Sequence, residues 1–106
     1  MKITYNKLVR DNIPEIIKNN NSQCSTRVLN NSEYYEELKK KLIEETNEFY
    51  ESDEISELGD ILEVFNSILK CKNLSFREVD EIRENKVKKN GAFEKKLLLE
   101  WVEDGK

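Results

Sequence analysis

Two carboxylate pairs carry most of the chemical potential of this chain: Glu45-x-x-Glu48 and, soon after it, Glu57-x-x-Asp60. On a helix, residues three apart share a face, so each pair presents two hard oxygen donors on one side. With 22 Asp and Glu among 106 residues, such pairs recur by chance, and the ordinary reading of one is a solvated acidic face. Three features set these four apart. The first is angular position. Against the stripe Leu38, Leu42, Thr46 and Phe49, Glu45 falls beside the apolar residues, Glu48 on the flank, and Glu44 points away. On the next helix Glu57 falls between Ile61 and Val64, inside an apolar arc that a surface helix keeps free of charge, with Asp60 at the edge. The second is symmetry. About a reversal at Ser52–Asp53, Glu48 and Glu57 are equidistant, and Glu45 and Asp60 are equidistant further out, so an antiparallel hairpin brings all four level. The third is energy. Two like charges about 4 Å apart repel by roughly 4 kcal/mol at an effective dielectric of about 20, so four must protonate, splay or share a cation.

The cation follows from the donors. They are all carboxylate oxygens, which selects Mg²⁺, with Mn²⁺ as an alternative and Ca²⁺ as an outsider. An incomplete protein shell leaves positions that phosphate oxygens fill. The chain has no histidine, which removes Ser-His-Asp and Cys-His catalysis, HExxH zinc sites and Glu-x-x-His di-iron bundles together. Acid/base work must rest on carboxylates, lysines or tyrosines. Glu48 and Glu44 are the candidates for taking a proton from water, and the angles favour Glu48.

A basic counterpart lies on the third long helix. Phe76, Val79 and Ile82 define a core face that continues into Arg83, Lys86, Lys89 and Asn90, switching from apolar to basic in its last turns. Lysines pairing with the helix dipole are the ordinary reading; a clamp on a polyphosphate is the functional one. Lys7 and Arg10 are further candidates for phosphate contact.

These residues need a helical frame. The chain has one Pro and three Gly, 38% charged residues and 37% hydrophobic ones, a composition that favours helices and one domain over 1–106. Pro14 suits the first turn of a short helix ended by Asn19–Asn21. The apolar period predicts long helices over 33–51 and roughly 54–71, with Asn30–Ser32 capping the first. The apolar set of the second is Ile55, Leu58, Ile61, Leu62, Phe65, Ile68 and Leu69. Ser75 and Glu78 form a capping box opening a third long helix to about Asn90, with Gly91 just beyond. Residues 92–103 read either as a last helix or as a strand, LLLEWV, pairing with STRVL. The expectation is an all-α antiparallel bundle of about four helices, with a minor two-stranded β element from residues near 26–29 and 96–100. Tyr5, Tyr34, Tyr35, Phe49, Phe65, Phe76 and Trp101 are expected in the core. Cys24 and Cys71 lack CxxC spacing and read as free thiols. There is no apolar run that spans a membrane and no secretory leader, so the cytoplasm is the expected location. A net charge of −4 argues against a nucleic-acid polymer as partner.

KLIEETNEFYES followed by ISELGDILEVFNSI resembles the all-α NTP pyrophosphatase superfamily, which includes MazG and phosphoribosyl-ATP pyrophosphohydrolase. YNKLVRDNIPEII and KVKKNGAFEKKLLLE resemble one branch, the small house-cleaning nucleotide pyrophosphatases. The resemblance implies that Glu45, Glu48, Glu57 and Asp60 ligate Mg²⁺, that Lys86 and Lys89 contact phosphate, and that the chain is a homodimer or higher homo-oligomer. It implies hydrolysis of a nucleoside triphosphate to the monophosphate and pyrophosphate. Residues 49–56 are a shorter spacer than many members have, leaving less room for a base-recognition loop. A phosphoribosyl-ATP pyrophosphohydrolase is the alternative enzyme. A non-catalytic acidic helical module that binds a protein or a divalent ion is the alternative of another class.

Overall fold

The structure, a computed structural model, describes residues 1–105. It contains four helices and, among the described residues, no strand: α1 (Ile13–Asn19), α2 (Asn31–Ser52), α3 (Ile55–Cys71) and α4 (Phe76–Asn90). No helix among the described residues is long and apolar enough to cross a membrane. The chain divides into two compact units, Met1–Leu74 and a second beginning at Ser75.

In the first unit, α2 and α3 form an antiparallel hairpin joined by Asp53 and Glu54 alone. Asp53 takes a left-handed conformation (φ 57°), and its N–H donates to the Phe49 carbonyl at 2.8 Å. With so few glycines, the chain closes its helices on Asn and Asp, whose short polar side chains tolerate this region. Asn21 (φ 64°) ends α1 and Asn73 (φ 57°) ends α3 in the same way. In both cases the next residue reaches back, Ser22 N–H to Ile17 and Leu74 N–H to Leu69. Lys72, just past α3, lies over the Tyr35 ring near the start of α2, 4.8 Å from its centroid, which ties the open ends of the hairpin together.

The start of α2 is set by Asn30. Its side chain accepts the Glu33 N–H at 2.9 Å, and Glu33 reaches back to the Asn30 N–H. Glu33 also pairs with Arg27 at 2.8 Å. Asn30→Ala is expected to cost about 1 kcal/mol and to lower the Tm by about 5 °C; an unchanged melting curve would show that the cap adds nothing.

The buried core is small: Leu38, Val64 and Leu69. Leu42, Phe49, Ile61, Phe65 and Ile68 are half-buried. Ile55, Leu58 and Leu62, expected on the apolar face of α3, are exposed, Leu58 by 45% and Leu62 by 53%. Thr46 is exposed too and donates to the Leu42 and Ile43 carbonyls. One helix packing on α3 covers only part of its apolar arc. Among the aromatics expected in the core, Tyr5, Phe76 and Trp101 are exposed, while Tyr34 and Tyr35 are half-buried.

In the second unit, the Ser75–Glu78 capping box forms as expected, with Ser75 Oγ accepting from Glu78 N–H at 3.2 Å. Gly91 follows α4 at φ 86°. Of the face expected in the core, Val79 is half-buried and Ile82 is 56% exposed; among the described residues of this unit no second helix covers it.

Residues 92–103 are neither the helix nor the strand that their sequence allowed. The expected β element does not form at 26–29 or at 96–100; Val28 is 98% exposed and Leu97, Leu98 and Leu99 are open to solvent. A two-stranded ribbon is marginal in water without a face to bury, and these segments have none. Cys24 and Cys71 are free thiols.

Candidate metal centre

The hairpin brings acids from both helices together. Glu45 from the middle of α2 and Glu57 and Asp60 from the first turns of α3 each direct one oxygen to a common spot, all within 4.8 Å of one another. Glu45 is the deepest, with 9% of its surface exposed, and Glu57 and Asp60 are half-buried. One oxygen of Glu45 and one of Glu57, Oε2 in each case, is buried without a hydrogen-bond partner. Leaving a buried acceptor unmade costs about 1–3 kcal/mol, so two of them side by side are an unusual arrangement for a scaffold alone.

The electrostatics follow from that crowding. Glu45 is pushed up to about 7, first by burial and then by the neighbouring carboxyls of Glu48 and Asp60. Glu57 is raised for the same reasons, burial first and then the charges of Glu48 and Asp60. Glu48 is exposed at the rim of the cluster, beside both. The fourth expected ligand is thus a neighbour of the three convergent oxygens and not one of them.

Cations from two elements surround the acids. Lys41, one turn before Glu45, holds its Nζ 4.0 Å from Glu45 Oε1 and 3.5 Å from Glu44 Oε2. Arg10 donates to Asp60 Oδ1 at 2.7 Å, and Lys7 to Glu44 Oε1 at 2.7 Å. Lys7 holds the Glu44 carboxyl below the usual range and is itself raised by that carboxylate. Glu44 therefore does not point away from everything, as its helical angle suggests. The segment before α1 crosses that side of α2 and covers it. An open cavity of about 270 Å³ lies between this segment and the hairpin, walled by Leu8, Val9, Arg10, Tyr34, Glu45 and Asp60.

Four of the candidates expected from the sequence lie in the second unit. Arg83, Lys86, Lys89 and Asn90 are exposed on α4, and Arg83 is paired with Asp80 at 2.7 Å. Lys41 is not among the residues the sequence singles out, although its position four residues before Glu45 places it on the same helix face. Lys7 and Arg10 are legible in the sequence as cations but not as partners of these particular acids, because the pairs bridge the N-terminal segment to α2 and α3.

No family model matches the chain, and neither does any curated protein or solved structure.

Function then rests on the chemistry of the site. Three convergent carboxylate oxygens, two acceptors without partners and no nitrogen or sulfur donor suit a hard divalent cation with open coordination positions.

Proposed function

We propose that this protein is a Mg²⁺-dependent nucleoside triphosphate pyrophosphohydrolase of the MazG-like all-α group that its sequence resembles. The observation that carries the reading is the pair of partnerless buried oxygens on Glu45 of α2 and Glu57 of α3, two acids that cluster with Asp60. Glu45, Glu57 and Asp60 would hold the ion, which leaves Glu48 at the rim free for proton transfer. The bound ion supplies charge neutralisation for the triphosphate and a lowered pKa for a coordinated water. Glu48, exposed beside the cluster, takes a proton from the water that attacks the α-phosphorus. The bond from the α-phosphorus to the bridging oxygen breaks, and pyrophosphate leaves with the electron pair. Lys86 and Lys89 are the phosphate contacts that the resemblance implies, with Arg83 and Asn90 as the further candidates on α4. A second copy of the chain is the proposed cover for apolar side chains such as Leu58 and Leu62, which one copy leaves open.

The test is direct. Purified protein is incubated with a panel of NTPs and dNTPs and with phosphoribosyl-ATP, in Mg²⁺ or in EDTA, and the phosphate product is identified. Mg²⁺-dependent release of pyrophosphate is the expected result. Release of orthophosphate would overturn the assigned cleavage position. Turnover of phosphoribosyl-ATP alone would make that the substrate. Metal binding without any product would leave a divalent-ion-binding module in place of an enzyme.

A further inference from the structure

Of the two cations paired with the cluster, Lys41 and Arg10, Arg10 makes the shorter contact. Its Nη2 lies 2.7 Å from Asp60 Oδ1, an ion pair that spans fifty residues of sequence. Both partners are substantially open, with the Arg10 side chain 59% exposed and Asp60 40%. Pairs of that exposure are weak, contributing about 1 kcal/mol or less, so this one opens readily. The Arg10 backbone, in contrast, is fixed: its carbonyl accepts the Ile13 N–H at 3.1 Å where α1 begins, and Leu8 beside it is half-buried. The guanidinium can change partners while its root stays in the wall of the cavity that Glu45 and Asp60 also line. Asp60 is one of the three acids with a convergent oxygen. A divalent ion held at this cluster would draw on the same carboxylate as the Arg10 guanidinium.

We infer that Arg10 is a resident counter-ion that a divalent cation displaces from Asp60, and that the freed guanidinium then binds the phosphate of the incoming ligand, coupling metal and polyphosphate binding through one side chain. This rests on the metal-binding reading of the cluster. The guanidinium suits both roles, since its planar fork of donors matches carboxylate and phosphate alike. The metal-free protein keeps Asp60 neutralised, and the loaded one gains an anion contact that did not exist before. The ligand class is an anion carrying phosphate, recognised only after the metal is bound.

The experiment measures binding, not turnover. Mn²⁺ affinity is read by electron paramagnetic resonance of the free ion on the full-length chain at fixed ionic strength. Affinity for inorganic pyrophosphate is then read by calorimetry at saturating Mn²⁺. Arg10→Gln is expected to tighten Mn²⁺ alone by about three- to tenfold, because a competitor and a repelling charge are gone. The same change is expected to weaken pyrophosphate by about tenfold or more, the usual consequence of losing a charge-assisted contact. Arg10→Lys keeps the charge and falls between. Arg27→Gln, which removes an equal charge from the Glu33 pair at the start of α2, leaves both affinities as they are. Opposite signs in Arg10→Gln are the signature. Both affinities falling together would make Arg10 a structural brace and overturn the exchange. Unchanged Mn²⁺ affinity would overturn the competition, and unchanged pyrophosphate affinity would overturn the second role. No Mn²⁺ binding by the wild-type chain would instead sink the metal site itself.

Discussion

Glu57→Ala is expected to abolish metal-dependent pyrophosphate release, lowering kcat/KM by about two to three orders of magnitude, while the metal-free protein stays folded. The two halves of this result come from one arrangement. Glu57 supplies one of three convergent oxygens from the first turn of α3, and it holds a buried acceptor without a partner. On the proposed reading, removing it takes a donor from the ion and leaves two acids, Glu45 and Asp60, where three stood. Removing it also relieves a desolvated carboxyl crowded by Glu48 and Asp60, so the fold loses nothing it depended on. Pyrophosphate release in Mg²⁺ and the melting temperature in EDTA, measured on the same preparation, separate the two effects. Full activity in the variant would remove Glu57 from the site; a collapsed melting curve would make its role structural.

The second large effect is on stability and needs no substrate. In the unfolded chain Glu45 ionises near its ordinary 4.5, and in the folded protein it is pushed up to about 7, chiefly by burial. Between these values the unfolded chain sheds the proton first. Stability therefore falls as pH rises through this window and levels off once the folded state has ionised as well. Glu57, raised for similar reasons, acts in the same direction. Glu33, Glu44 and Asp80 are lowered by Arg27, Lys7 and Arg83 and act in the opposite sense. Their contribution is present above the ordinary carboxylate range and is lost on acidification below it, outside this window. At about 1.4 kcal/mol per pKa unit, discounted for the solvent that reaches the cluster, the loss between pH 5 and 8 is about 2 kcal/mol, or about 10 °C in Tm. Glu45→Gln is expected to flatten that slope and to melt above the wild type at pH 8 in EDTA. Saturating Mg²⁺ is expected to restore the wild type, since an ion that binds only the folded state stabilises it by about 2.7 kcal/mol at a hundred times its Kd. Melting curves from pH 5 to 8 decide it. A wild-type Tm that holds level or rises, or a Glu45→Gln slope equal to the wild type's, would contradict a Glu45 carboxyl raised by burial.

What the sequence makes legible is what a single helix determines. The α2 and α3 boundaries, the Ser75–Glu78 box and the depth of Glu45 are all consequences of a period of 3.6 and of capping chemistry local to a few residues. Equidistance from the turn pairs Glu45 with Asp60, which do meet, and Glu48 with Glu57, but the convergent set joins Glu45 to Glu57 and leaves Glu48 outside it. What depends on a second element is not legible. Glu44 looks outward on its own helix, yet the N-terminal segment covers that side and Lys7 grips it. Leu58 and Leu62 look buried because the apolar arc of α3 is wider than one packed helix can cover. Residues 92–103 carry enough Leu and Trp to suit either helix or strand, and the described chain offers neither a partner.

The connection at Asp53 makes the hairpin a ruler. With only Asp53 and Glu54 between α2 and α3, no slack exists to absorb an inserted residue. One extra residue within the helical parts of this stretch, after Glu48 in α2 or before Glu57 in α3, turns one helix face against the other by about 100° and shifts it by about 1.5 Å, which carries Glu57 and Asp60 off the face they share with Glu45. The same insertion after Gly91 displaces no helix. Tolerance to length change is therefore sharply uneven along this chain. A scan of single-residue insertions would trace the span from Glu45 to Asp60 as a stretch where length, more than residue type, is the inherited quantity.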